Sequence, residues 1–331
     1  MIFLLALLGC TIKTDNSILP EKQGVEVKPE SLAGYKPLPA NYLLSTMSPD
    51  NEIISLGEKL YNEKLLSVSG EISCSSCHDL SSAGIDGTQF SAGHNESLTI
   101  RNTPTVFNAA GHVSQFWDGR ATTVEEQALG PILAAGEMAM PNPESVVTVL
   151  KSKTEYVEGF RLSFPDQQDP ITFQNVGIAI GSYERTLVTP SRWDLFLNGD
   201  GTALSDEEKT GFITFSNTGC GTCHGGQLLG GQLFMKVGLV NTWPNQNDLG
   251  RYNVTKNESD KMVFKVPSLR NVAVTGPYFH DGSVDNLQTA IKMMGHYQLG
   301  KDLTDSEAKS IENWLESTTG VLINQESKAK K

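Results

Sequence analysis

The chain has 331 residues, enough for two domains of ordinary size, each with its own core. Hydrophobic residues make up 38%, beside 31 Gly and 15 Pro, which points away from long-helix and repeat architectures and toward much irregular structure. A net charge of −12 excludes a nucleic-acid partner, which needs a basic surface, and suits either simple solubility or a partner with a basic face.

The chain opens MIFLLALLGC. The apolar run is too short to span a bilayer, and residues 1–10 read as an export signal of the lipoprotein type ending at Cys10. LLGC resembles the bacterial lipobox, although no Lys or Arg precedes the run. Residues 11–41 are polar and carry Pro20, Pro29, Pro37 and Pro39, the composition of a flexible tether. From Ser48 the pattern turns helical, with Ile53, Leu56, Leu60 and Tyr61 on one stripe. Helices are also expected over 144–160, 171–187, 284–294 and 304–317, and from the Ser205 capping box toward the second cysteine pair. FMKVGLV at 234–240 is the best strand candidate. The fold class is therefore mainly α, with long loops and few short strands. The pattern breaks near 188–204, which divides an N-terminal domain, 42–190, from a C-terminal one, 191–325. The tail ESKAKK reads as a solvated end.

Four of the five cysteines lie in two Cys-x-x-Cys-His units: Cys74, Cys77 and His78, then Cys220, Cys223 and His224. Two thiols three positions apart can each add to one vinyl group of a haem, and the adjacent His then meets the iron, which is the c-type haem attachment signal. A zinc site using both pairs and a thioredoxin-like dithiol are the competing readings. Neither needs a His directly after both second cysteines. If Cys10 is lipidated, no cysteine remains for a disulfide. Each iron then has either an open position or a further ligand, for which His94, His112, His280, His296 and the eight Met are the candidates.

The strings LGEKLYNEKLLSVSGEISCSSCH, RNTPTVFNAAG, QFWDGRATTVEEQALGPI, GCGTCHGG, VPSLRNVAVTGPYFHDGS and MMGHYQLG together resemble bacterial di-haem cytochrome c peroxidases, from about Leu56 to Gly320. The resemblance implies two cytochrome c-like haem domains, the N-terminal one reducing hydrogen peroxide and the C-terminal one receiving electrons. It implies His78 as proximal ligand of the first iron and His94 as its displaceable distal ligand, within GHNES where the family usually has Gly-His-Gly and an aromatic residue. It makes Glu137 the acid/base, Gln127 an orienting neighbour and Trp117 the residue between the haems. It gives the second haem His224 and Met294 as ligands, with His280 beside it. Helical spacing supports Met294 over Met293, because Leu287, Ala290, Ile291 and Met294 share one stripe. A calcium ion held by Asn102, Thr275 and Pro277 is also implied.

The partners implied are hydrogen peroxide and a small cytochrome c or cupredoxin as electron donor. The protein would be periplasmic, touching a membrane only through lipid on Cys10, and could form a homodimer. Two alternatives stand beside this reading. One is a di-haem oxidase of the methylamine-utilisation type, whose relatives carry Tyr where this chain has Met294; the other is a non-catalytic di-haem carrier or sensor.

Overall fold

The computed structural model describes residues 24–48 and 51–322. The signal segment with Cys10 and the basic tail lie outside the described residues. The described chain is mainly helical, and its one two-stranded sheet pairs Phe234–Lys236 with Val263–Lys265 antiparallel.

The expected helix near Ser48 spans Glu52–Tyr61, with the Asn51 side chain accepting the Ile53 N–H at its start. Ile53, Leu56, Leu60 and Tyr61 are all buried, as the stripe requires. The helix crosses Phe173–Glu184 closely. At Gly57 a side-chain carbon would lie 2.0 Å from the Ala179 carbonyl oxygen, so the crossing depends on glycine. The expected 144–160 helix is two, Pro143–Lys151 and Thr154–Ser163. Val146 and Leu150 point inward in the first and Tyr156 and Phe160 in the second. The six-residue step from Leu150 to Tyr156 does not fit a 3.6 period, and the break at 152–153 rotates the chain to bury both pairs.

In the C-terminal half, Asp206–Thr218 packs on Asp305–Glu316, and both begin with the expected capping boxes, Ser205 with Glu208 and Thr304 with Glu307. The helix Leu287–Met293 passes directly into a π turn over Met294–Leu299, a wider winding frequent at functional sites. Among the α-helices not expected from the sequence, two are longer than one turn. Val124–Leu133 contains Pro131, and Arg192–Leu197 occupies the expected break, started by Ser191 and Asp194.

The buried side chains form two clusters. One gathers Leu60, Leu66, Leu150, Phe160, Ile180 and their neighbours from the first half. The other gathers Trp193, Phe212, Phe215, Ile311 and Trp314 from the second. Leu322 returns to the first cluster, so the chain's last described turn fastens the halves together.

The tether expectation is corrected for residues 24–41. Tyr35 packs edge-on against Trp193 and Phe212, and the Leu38 N–H donates to Asp194 at 2.7 Å. Arg270, 1% exposed, pairs with Asp194 at 2.6 Å beneath this segment. Proline-rich polarity concealed the apolar anchors Val27, Leu32 and Tyr35 that dock it. Among the described residues no helix is long and apolar enough to cross a membrane.

Candidate functional site

Both Cys-x-x-Cys-His units close into single tight turns. Ser73 and Ser76 cap the turn Cys74–Cys77, and the His78 N–H then donates to the Cys74 carbonyl at 2.9 Å. A 3₁₀ turn over Cys220–Thr222 does the same in the second half, with the His224 N–H donating to Cys220 at 3.0 Å. The two imidazoles are held alike: Nδ1 of His78 meets the Gly84 carbonyl at 3.3 Å, and Nδ1 of His224 meets the Leu229 carbonyl at 3.2 Å. A carbonyl only accepts, so each Nδ1 carries the proton and each Nε2 presents a lone pair. Burial lowers both histidine pKa values, which keeps the rings neutral and able to ligate.

The cysteines behave as neutral thiols. Burial pushes Cys74 up to about 12 and Cys220 up to about 11. Dithiol exchange needs a free thiolate, which this burial disfavours. The two pairs also line separate cavities, which a four-thiolate site could not use, and among the described residues no group of three or more His, Cys, Asp or Glu could hold a metal ion. Thiols on a cavity wall beside an oriented imidazole fit a covalently held, flat iron cofactor instead.

The first cavity brings together Cys74, Cys77, His78, Asn102, Trp117, Gln127 and Glu137. The Glu137 pKa is raised by burial, with Arg120 opposing from nearby. His94 is not among the lining residues. Its N–H donates to the Glu137 carbonyl at 2.8 Å, at the tip of a small loop closed by pairing of Ala92 with Leu98. Gly93 lets that loop seat against the Glu137 segment, since a side-chain carbon there would come within 1.9 Å of the Gly136 oxygen. Asn95 stands at φ 54°, a left-handed position that asparagine tolerates better than most residues. His112 joins the first cavity's wall, whereas His296 sits half-exposed on Asp302 at 2.7 Å and lines neither cavity.

The second cavity is strongly apolar and gathers Cys220, Cys223, His224, His280 and Met294. Leu287, Ala290, Ile291 and Met294 all line it, and Met293 does not. His280 is buried and stacks on Phe264 with ring centroids 4.1 Å apart.

Trp117 lines both cavities. Its Nε1–H donates to the Asn102 carbonyl at 2.9 Å, and the Asn102 N–H donates to the His280 carbonyl at 2.8 Å, so one chain of bonds fixes the partition. Arg101 reinforces it by binding Asp118 within the first half and Asp248 across to the second, each at 2.6 Å. The Asn102 amide nitrogen donates to the Thr88 carbonyl at 2.9 Å, which leaves its side-chain oxygen as an acceptor. Among the described residues no hydrogen bond joins it to Thr275 or Pro277.

Three further residues of these walls escaped the sequence reading: Arg101, Glu184 and Lys265. For Lys265 the available signal was a lysine inside the apolar run VFKVP; the others had none.

A family model described as "Di-haem cytochrome c peroxidase" matches residues 51–202. The chain is 42% identical to cytochrome c551 peroxidase of Pseudomonas aeruginosa, over 91% of this chain and 88% of that protein. It is 40% identical to cytochrome c551 peroxidase of Nitrosomonas europaea, over 84% and 83% respectively. Among solved structures, a MauG-like protein associated with microbial copper homeostasis superposes with a TM-score of 0.76 at 28% identity, covering 86% of this chain and 93% of that one.

Proposed function

Because the chain belongs to the di-haem cytochrome c peroxidase family, we propose how its residues divide the work of reducing hydrogen peroxide to water. The protein carries two c-type haems and draws electrons from a small redox protein. When bound, each haem supplies an iron that accepts and passes single electrons, one of them open to peroxide. The net reaction is hydrogen peroxide plus two electrons and two protons to two waters.

In this reading Cys74, Cys77 and His78 hold the first haem, in the domain spanning 42–190. Glu137 would take a proton from one peroxide oxygen and deliver it to the other, so that the second could leave as water. Burial raises its pKa, which makes the carboxylate a better proton acceptor. Gln127 orients the peroxide. His94 is the displaceable ligand, and its loop rests on Glu137 through one backbone bond, which couples its position to the acid/base. Cys220, Cys223, His224 and Met294 would hold the second haem, in the domain spanning 191–325, where a His and a Met as ligands would favour a higher potential. Trp117 lies on the path between them, and His280 steadies the second pocket.

The observation that carries this assignment is the asymmetry of the cavities: Glu137 and Gln127 share a wall with the first motif, while apolar residues and Met294 surround the second. Met294 also favours the peroxidase over the methylamine-utilisation oxidases. A calcium ion at Asn102, Thr275 and Pro277, residence in the periplasm, lipid on Cys10, a homodimer and a cytochrome c or cupredoxin donor complete the proposal. The test is peroxide turnover by half-reduced protein with haem spin states recorded alongside. Turnover with one high-spin haem supports the assignment, and two permanently low-spin haems without turnover would leave a carrier or sensor.

A further inference from the structure

Lys265 closes the strand Val263–Lys265 and is 7% exposed. Its N–H donates to the Trp117 carbonyl at 2.8 Å, and its side chain lines both cavities. Its Nζ lies 2.8 Å from Nδ1 of His112 and donates to the Ser114 carbonyl at 2.9 Å. Nε2 of His112 is buried without a hydrogen-bond partner. No carboxylate among the described residues bonds to either side chain. Asp118 favours the charged lysine from a distance, but its oxygens are occupied by Arg101 at 2.6 Å and Arg120 at 3.1 Å. The other charged or titratable groups around the pair are Arg251, which donates to the Asp118 carbonyl, Asp248 on Arg101, and His280 across Phe264. Glu137, Glu184, Arg120 and His78 also stand on the first cavity's walls, and Lys236 and His224 on the second's.

Two basic nitrogens this close can share one proton but not hold two. Burial brings Lys265 down to about 7 despite Asp118, and burial followed by repulsion from Lys265 holds His112 well below the ordinary range. Near neutral pH the pair is therefore poised between one positive charge and none. An electron arriving beside it adds a negative charge in a poorly solvated interior, where a proton is the least costly compensation.

We propose that the Lys265–His112 pair is a proton store coupled to electron arrival in the wall between the two haem sites. One electron from the donor protein and one proton from solvent enter together, the proton resting on Nζ of Lys265 against Nδ1 of His112. When the electron passes on to peroxide, the proton returns to solvent. The inference rests on both cavities holding haem.

The experiment is a spectroelectrochemical titration of the purified protein, with its two covalent haems first counted from the alkaline pyridine spectrum. The midpoint potential of at least one haem falls as pH rises through neutrality, toward the one-proton limit of tenfold per pH unit, or about 59 mV. Lys265→Met retains both haems and loses the slope. His112→Phe, which removes the acceptor of the ammonium, moves the sloping region to lower pH and serves if the lysine variant does not load. A flat wild-type potential overturns the proposal. So does a slope that survives Lys265→Met, or one that Glu184→Gln abolishes instead. A haem count other than two would sink the haem assignment itself, a result distinct from any of these.

Discussion

If Glu137 is the proton shuttle proposed above, Glu137→Gln isolates that role from everything else the residue does. The backbone carbonyl that receives the His94 N–H is untouched, so the neighbouring loop keeps its seat. No ion pair is broken, because Arg120 acts on Glu137 only through its field. Glutamine keeps the shape and polarity, and stability should change by less than about 0.5 kcal/mol. Positioned acid/base groups contribute roughly 10²–10⁴ in rate, so turnover should fall by that factor, equivalent to about 3–5 kcal/mol of lost transition-state stabilisation. Because the loss arises at the bond-breaking step, kcat and kcat/KM should fall together. The pH profile adds a second constraint. The shuttle must begin as a carboxylate, and burial raises the Glu137 pKa above its ordinary value of 4.5. Activity should therefore decline on acidification through a point above 4.5, and the variant should lack that limb. The assay is steady-state oxidation of a reduced donor by peroxide, normalised to covalent haem. Turnover within about threefold of wild type, with both haems present, would remove Glu137 from the mechanism.

Arg270→Leu strands Asp194 in the interior, 5% exposed, and should cost about 3–5 kcal/mol in a urea melt; a loss under about 1 kcal/mol would show that this pair does not fasten the N-terminal segment. Trp117→Phe deletes the bond to the Asn102 carbonyl and should cost about 1 kcal/mol while slowing electron transfer between the haems in a single-turnover experiment. An unchanged transfer rate would place the path elsewhere. Glu184, 4% exposed, has its pKa raised to about 8 chiefly by burial, so folding favours its protonated form. Its stabilising state is complete below about 4.5 and is lost as pH rises through about 8, a swing of at most about 5 kcal/mol that Glu184→Gln should flatten in melts across that window.

The fold was legible wherever local chemistry and burial agree. Ser205 and Thr304 announce their helices because a capping box is a contiguous four-residue signal, and both helices begin where it places them. The stripe in Glu52–Tyr61 was legible because one face alone is buried. Val124–Leu133 was hidden by Gly130 and Pro131, whose propensities oppose the helix that tertiary packing imposes. Residues 24–41 failed in the opposite direction: their polarity is real, but Tyr35 and the backbone of Leu38 suffice to dock them.

For the site, sequence carried the residues whose chemistry depends on spacing along the chain. The two cysteine–histidine turns need nothing distant to be recognised, and helical periodicity alone separates Met294 from Met293. Residues that matter through distant juxtaposition leave no comparable trace. Lys265 and His112 are 153 positions apart and meet only because the strand Val263–Lys265 is bonded to the Trp117 segment. Arg101 and Asp248, 147 apart, are tied by the same partition. Each is ordinary in its own sequence window, where a lone lysine or histidine usually means a solvated side chain. What gives them consequence is the wall between two cavities: a charge there is felt at both haem sites, while one on the outer surface is screened by solvent. The two cysteine–histidine motifs locate the cavities, and Trp117 and Lys265 line both.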